Sequence, residues 1–287
     1  MGKKRKTKYK VGIGIFLVIV GICLFRLKFR ENAVEWYEIQ VVAHAGSGID
    51  GKRLTNSFEA MNHAAEKGYR MIEVDFAITS DQELVLSHGW DEDTLDELEQ
   101  WNWYQEDVAP DLQSFLETPI CRKFTPMTAE DLIGWMKKHD GIYIVTDTKY
   151  LSDEEILFQF RELAELCDYN EKLLSRFVIQ VYDVRMCELV RTVYEFPNMI
   201  YATYVHAVED TWYWEQAAWD CRDCGISVIL VSRQYMEEPY ISILRENNLI
   251  IYTFTINTIS KMEEVMNAGV NGIYSDYLTE SDLQYIN

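Results

Sequence analysis

From residue 38 onward the chain alternates short runs dense in Val, Ile, Leu, Tyr and Phe with longer stretches in which apolar residues return every three or four positions. Short, near-continuous apolar runs are expected as buried strands, and the 3.6-residue pattern as helices with one face on a core. The strands fall at 38–44, 70–77, 142–149, 177–181, 199–204, 227–231, 249–255 and 272–275. The helices fall between them at 56–67, 128–139, 153–167, 184–194, 211–224, 237–246 and 260–268, with a tail at 280–285 able to form an eighth. Apolar strands separated by helices imply a parallel sheet covered on both faces, and eight such units imply closure into an α/β fold of the (β/α)₈ TIM-barrel type. Boundary residues agree. Thr128 with Asp131, and Ser152 with Glu155, read as capping boxes or close variants, and Gly68, Gly225 and Gly269 follow helical runs where a left-handed residue is needed.

Two pieces interrupt the alternation. Residues 78–87 read as a hairpin turning at Ser80, Asp81 and Gln82, and 91–124 is an insertion rich in Trp, Tyr, Asp and Glu. Placed after the second strand, such an insertion is expected over the barrel rim where active sites form. Its aromatics Trp101, Trp103 and Tyr104, with Trp90 beside them, could cap a pocket, touch a membrane surface or pack onto the rim.

The first 30 residues are a different object. Six Lys and Arg lie within residues 1–10, an uncharged run follows from Val11 to Phe25, and Arg26, Lys28 and Arg30 come next. A run of 15 residues is slightly short for a spanning helix, but lysines and arginines that snorkel from both ends bring it within reach, so 11–28 is expected as a single transmembrane helix. No small-x-small cleavage site follows it, which argues against a removed signal peptide. The heavier basic cluster places 1–10 in the cytoplasm and the barrel domain, 38–287, outside the cell membrane.

Charge separates the two parts further. Residues 1–30 carry nine of the 27 Lys and Arg and none of the 47 Asp and Glu, leaving 18 against 47 in the remainder, a net −29. A domain so acidic repels polyanions, which excludes nucleic acid as a partner and demands a local cation wherever an anionic substrate binds. Outside the anchor five cysteines remain, Cys121, Cys167, Cys187, Cys221 and Cys224. An odd count gives no complete disulfide framework, and the Cys221/Cys224 pair reads as two positions of one helix rather than half a zinc site.

Barrel chemistry is carried by polar residues where apolar strands end. His44 closes the first strand, Glu73 and Asp75 lie near the end of the second, and Asp147 and Lys149 close the third. Residues two apart share a face of a strand, so Glu73 joins Asp75 and Asp147 joins Lys149. Three carboxylates converging on one rim repel unless a cation joins them, and oxygen-only ligands favour one hard divalent ion, Mg²⁺ or Ca²⁺. His44 and His88 are the groups able to exchange protons near neutral pH. Such a set suits displacement at phosphorus.

The series also resembles a known family. His44-Ala45-Gly46, Asn56-Ser57, Glu73-Val74-Asp75, Thr79-Ser80-Asp81, His88, Asp147-Thr148-Lys149, Phe254-Thr255-Ile256-Asn257 and Gly272 through Asp276 follow, in order and at similar spacing, the motifs of the glycerophosphodiester phosphodiesterases. The resemblance covers about residues 40–277. It implies that Glu73, Asp75 and Asp147 bind the divalent metal, that His44 and His88 are acid and base, and that Lys149 contacts the substrate phosphate. It implies further that a neighbouring substrate hydroxyl attacks phosphorus and expels the alcohol, giving a cyclic phosphate open to later hydrolysis. The partner expected is a small phosphodiester or phospholipid headgroup. Four positions depart from the family pattern: Ala45 replaces arginine, Thr55 glutamate, Gly89 aspartate, and Asp147 glutamate. Lys52 and Arg53 in the following loop are basic residues able to compensate for the lost arginine. A catalytically weakened barrel that binds phosphodiesters, and a phosphodiesterase resembling sphingomyelinase D or phosphatidylinositol phospholipase C, are the alternatives.

Overall fold

The computed structural model describes residues 35–101, 108–149 and 152–286. The expected basic tail, 1–10, and anchor, 11–28, lie outside the described residues. No helix among the described residues is long and apolar enough to cross a membrane. The chain divides into two units, Met1–Glu38 and Ile39–Asn287. The described part of the first contains a single 3₁₀ turn at Trp36–Glu38.

The second unit is a closed barrel. Its strands are β1 (Val41–Ala43), β2 (Met71–Ile78), β3 (Leu84–Leu86), β4 (Tyr143–Thr148), β5 (Phe177–Val181), β6 (Met199–Ala202), β7 (Val228–Ser232), β8 (Ile250–Phe254) and β9 (Gly272–Ser275). Pairing runs β1-β9-β8-β7-β6-β5-β4-β2, with β1 parallel to β2 closing the ring and β3 attached to β2 as an antiparallel arm. The helices are α1 (Phe58–Glu66), α2 (Glu92–Glu97), α3 (Leu112–Glu117), α4 (Ala129–Met136), α5 (Asp153–Leu166), α6 (Glu171–Leu174), α7 (Val184–Val193), α8 (Thr211–Asp223), α9 (Tyr240–Glu246) and α10 (Ile259–Ala268). Helices between successive parallel strands cover the outside, so the strands are buried on both faces, as their unbroken apolar composition requires.

Local chemistry sets the boundaries. The Thr128 and Asp131 side chains satisfy each other's backbone N–H in a full capping box, and the Ser152 hydroxyl accepts from the Glu155 N–H. Gly269 ends α10 in the left-handed region at φ 106°, which a residue with a Cβ resists. Inside the barrel, the Tyr252 ring fills the space that a Cβ on Gly272 would enter, at 2.7 Å. The smallest residue on β9 therefore accommodates one of the largest on β8.

Several boundaries differ from expectation. The first strand is only Val41–Ala43, because at His44 the chain turns into a 3₁₀ segment with Ala45 left-handed at φ 47°, ψ 46°. β2 runs on to Ile78, so Glu73 and Asp75 sit mid-strand. Its barrel portion ends near Phe76, which faces both Thr148 of β4 and Leu86 of β3, and beyond that point β2 serves only the hairpin. The helix expected from 237 begins at Tyr240, since Pro239 supplies its N-cap, and the 280–285 tail is a 3₁₀ helix rather than an eighth α-helix. Helix α6 was not expected; Asn170 caps it by accepting from the Leu173 N–H. The insertion folds as α2 and α3, each capped by an aspartate, Asp91 and Asp111. Trp90 packs edge-on to Phe115 and donates to the Ile78 carbonyl at 3.2 Å, seating the insertion against the hairpin. Trp103 and Tyr104 lie outside the described residues. All five described cysteines are buried and form no disulfide.

Candidate active site

Strand register assembles the site. Asp75 of β2 lies directly opposite Asp147 of β4, so two carboxylates from neighbouring strands stand side by side on the interior face. Glu73, two residues earlier, shares that face. One oxygen from each of the three lies within 4.8 Å of the others, and all three residues are buried. On the other side of β2, Ala43 pairs with Ile72 and with Ser275 of β9. The residues that follow these positions are therefore neighbours: Ala45 donates its N–H to Glu73 Oε2 at 2.7 Å, and His44 Nδ1 meets Asp276 Oδ1 at 2.8 Å.

Electrostatics follow from this crowding. Burial, the charge of Asp75 and the charge of Asp147 push the Glu73 carboxyl up to about 8, against the pull of His44. Burial alone would raise Asp75 too, but Lys149, His88 and His44 outweigh it and hold that carboxyl well below the usual range. Lys149 is the reason: its Nζ reaches Asp75 Oδ1 at 2.7 Å and Asp147 Oδ2 at 2.6 Å. A buried carboxyl that resists ionising beside two others bridged by an ammonium is an oxygen-only cluster short of positive charge. Glu73, Asp75 and Asp147 therefore fit a hard divalent ion by donor chemistry and by charge.

The two histidines are held differently. Burial would lower His44, but the bond to Asp276 and the charges of Glu73, Asp276 and Asp75 outweigh it and raise the imidazole to about 9. Asp276 is itself fixed: its Oδ2 accepts from Asn257 Nδ2 at 2.6 Å, and its N–H donates to Asn257 Oδ1 at 2.9 Å. Burial lowers His88, and the nearby Asp75 only partly opposes this. His88 Nδ1 lies 3.1 Å from the Thr94 hydroxyl, which donates its single proton to Asp91 Oδ2 at 2.8 Å. That hydroxyl can therefore only accept from His88, which puts the proton on Nδ1 and leaves Nε2 as the working nitrogen.

Every predicted site residue thus falls in one cluster at the C-terminal rim. A layer of supporting residues was not anticipated. Asn56 clasps Asp75, donating to Oδ2 at 2.7 Å and accepting from the Asp75 N–H at 3.0 Å. Asp147 Oδ1 accepts from Gln180 Nε2 at 2.8 Å and from the hydroxyls of Tyr182 and Tyr204. Burial and the charge of Asp147 keep both phenols protonated, and so donors. Asn56, Asn257 and Asp276 lay within recognised motifs, whereas Thr94, Asp91 and the two tyrosines carry no local sequence signal.

The family model for glycerophosphoryl diester phosphodiesterases matches residues 44–280, the span that holds every one of these groups. The chain belongs to this family. As a glycerophosphodiester phosphodiesterase it is a phosphoric diester hydrolase, and solved structures share its fold. A glycerophosphodiester phosphodiesterase from Parabacteroides distasonis is 16% identical with a TM-score of 0.66, the match covering 86% of this chain and 96% of that one. The enzyme from Thermotoga maritima is 19% identical, with a TM-score of 0.57 and coverage of 86% and 97%. A phosphodiesterase from Oleispira antarctica, solved with the product sn-glycerol-3-phosphate, is 15% identical, with a TM-score of 0.63 and coverage of 85% and 96%. No curated protein matches the chain. The two basic residues weighed as substitutes for the family arginine are both engaged in this phosphodiesterase: Lys52 with Glu99 and Arg53 with Glu97, each at 2.8 Å.

Proposed function

We propose that this phosphodiesterase hydrolyses a glycerophosphodiester or a related phospholipid headgroup, with one Mg²⁺ or Ca²⁺ held by Glu73, Asp75 and Asp147. The observation that carries the reading is the close cluster of these three buried carboxylates beside two separately oriented imidazoles. When bound, the cation neutralises the carboxylates and polarises the phosphoryl group. The chain's own residues handle the protons and the anion. His88, whose Nε2 is free to accept, takes the proton from the attacking substrate hydroxyl. His44, whose protonated form Asp276 stabilises, gives one from Nε2 to the departing alcohol oxygen. Lys149, tethered between two carboxylates, presents its remaining donor capacity to a non-bridging phosphate oxygen. Attack by a hydroxyl of the substrate itself gains the effective concentration of a tethered nucleophile; it closes a cyclic phosphate as the bond from phosphorus to the alcohol oxygen breaks, and water then opens the ring to complete the hydrolysis. The same reading keeps the domain outside the cell membrane on the 11–28 anchor, supported by the basic flanks of that apolar run.

The test is hydrolysis of glycerophosphocholine, glycerophosphoethanolamine, lysophosphatidylcholine and phosphatidylinositol by the full-length protein with Mg²⁺, Ca²⁺ or chelator, beside His44→Ala and His88→Ala. Chelator-sensitive turnover that both substitutions abolish is the expected result. Metal binding without turnover of any diester would instead favour a phosphodiester-binding module on the same barrel.

A further inference from the structure

The loop from Gly48 to Asn56 is fastened to the site at both ends. The Gly48 N–H donates to the Asp276 carbonyl at 2.7 Å, and Asn56 grips Asp75. Between these fastenings the chain makes a tight antiparallel bridge, Ile49 with Lys52, and Arg53 is the first residue on the way back toward Asn56. Arg53 is thus carried on a short loop fastened at one end to Asp276 and at the other, through Asn56, to Asp75. Its charge helps keep Asp276, the partner of His44, ionised. Yet its guanidinium is half exposed and is paired with a single carboxylate, Glu97 at the end of α2 in the insertion.

Lys52 differs. Its partner Glu99 also binds Arg122 at 3.3 Å, and its charge faces Glu99, Glu97 and Cys121 on the insertion side. Lys149 is committed to Asp75 and Asp147 inside the cluster. Arg53, like Lys123 with Asp50 on the same loop, is held by an exposed one-to-one pair, the kind that exchanges partners at little cost, and of the two it is Arg53 whose charge reaches Asp276. A guanidinium can meet two oxygens of one phosphate in parallel, whereas Arg53 meets Glu97 through a single bond, Nη2 to Oε1 at 2.8 Å.

We propose that Arg53 is the substrate-binding guanidinium of this site, taking non-bridging phosphate oxygens as the diester seats, and that Glu97 holds the same group in readiness when no phosphate is bound. The proposal rests on the phosphodiesterase reading and deepens it. Arg53 then selects for the phosphate anion, and Glu97 competes with it. The insertion thereby sets affinity through one carboxylate.

Opposite effects from the two halves of one ion pair form the test. Calorimetric titration of the full-length protein with sn-glycerol-3-phosphate and with inorganic phosphate is compared across Arg53→Gln, Arg53→Lys, Glu97→Gln and the Arg53→Gln/Glu97→Gln double variant. KM and kcat are measured on the best diester. Arg53→Gln is expected to weaken both ligands and to raise KM by about 10-fold or more, as loss of a charge-assisted contact does. Arg53→Lys should recover only part of this, kcat should stay within about 2-fold, and Glu97→Gln should tighten binding by roughly 2- to 5-fold. In the double variant the Glu97 effect should vanish. A purely structural ion pair would make both single variants worse in the same direction, and that result overturns the proposal. Unchanged binding in Arg53→Gln, with wild-type turnover intact, overturns it alone. A wild-type protein that neither binds these phosphates nor turns over any diester overturns the functional reading along with it.

Discussion

Asp276 makes the site's most consequential long-range contact, and Asp276→Asn measures its worth. His44 is raised from 6.5 to about 9 although burial opposes the charged form. The bond to Asp276 is the largest influence raising it. The full shift corresponds to roughly 3 kcal/mol of preference for the imidazolium, and the largest favourable part of it is expected to disappear with the carboxylate. The amide would also offer N–H to His44 Nδ1, which moves the ring proton to Nε2 and removes the orientation that the carboxylate imposes. Together these effects are expected to lower kcat by about 10³-fold, within the range seen when the orienting carboxylate of a catalytic histidine is lost. The assay is kcat on the best diester across about pH 6 to 10. Its alkaline limb should lie at lower pH than in the wild type, because Asp276 no longer favours the imidazolium. Stability supplies a second reading. A raised histidine pKa contributes stability that is complete below the unfolded value of 6.5 and is lost as pH rises through about 9. Asp276→Asn should therefore lower the melting temperature more at about pH 6 than at about pH 9.5. A variant with reduced kcat but an unmoved alkaline limb would show that Asp276 only shapes the loop, and would refute this account of His44.

Two other perturbations probe the carboxylates. Glu73 is raised to about 8 by burial and by Asp75, so in chelator its neutral form is favoured and its stabilising contribution is lost as pH rises through 8. One fixed Mg²⁺ or Ca²⁺ concentration, about a hundredfold above the Kd at pH 9, should thus raise stability by about 2.7 kcal/mol there and by less at about pH 6, and an equal rise in melting temperature at both would count against the cluster as the metal site. Tyr182→Phe removes one of the donors that fix Asp147 Oδ1 and should weaken divalent-ion affinity by about 10-fold in a calorimetric titration, whereas unchanged affinity would leave that hydroxyl with a packing role alone.

The periodicity of the chain determined the barrel. Eight apolar runs separated by amphipathic ones have few ways to bury both faces of a parallel sheet, and closure is the solution that leaves no edge. Five of the six candidate site residues were legible for the same reason, since polar side chains that interrupt or end apolar strands must face a common rim. His44, Glu73, Asp75, Asp147 and Lys149 do so, whereas His88 lies just past the hairpin arm and was marked by its residue type and by the family motif. What their neighbours do was decided only by tertiary structure. Closure sets β9 against β1 and so brings Asp276 onto His44 across 232 residues of chain. Register sets Asp75 opposite Asp147, and the folds of α2 and of the segment after β6 carry Thr94 and Tyr204 to their partners. Lys52 and Arg53 looked equivalent as adjacent basic residues. Only the packing of the insertion gave one a shared carboxylate and the other a single exchangeable one, because ion pairing depends on where side chains meet in space and leaves no periodic trace in the sequence.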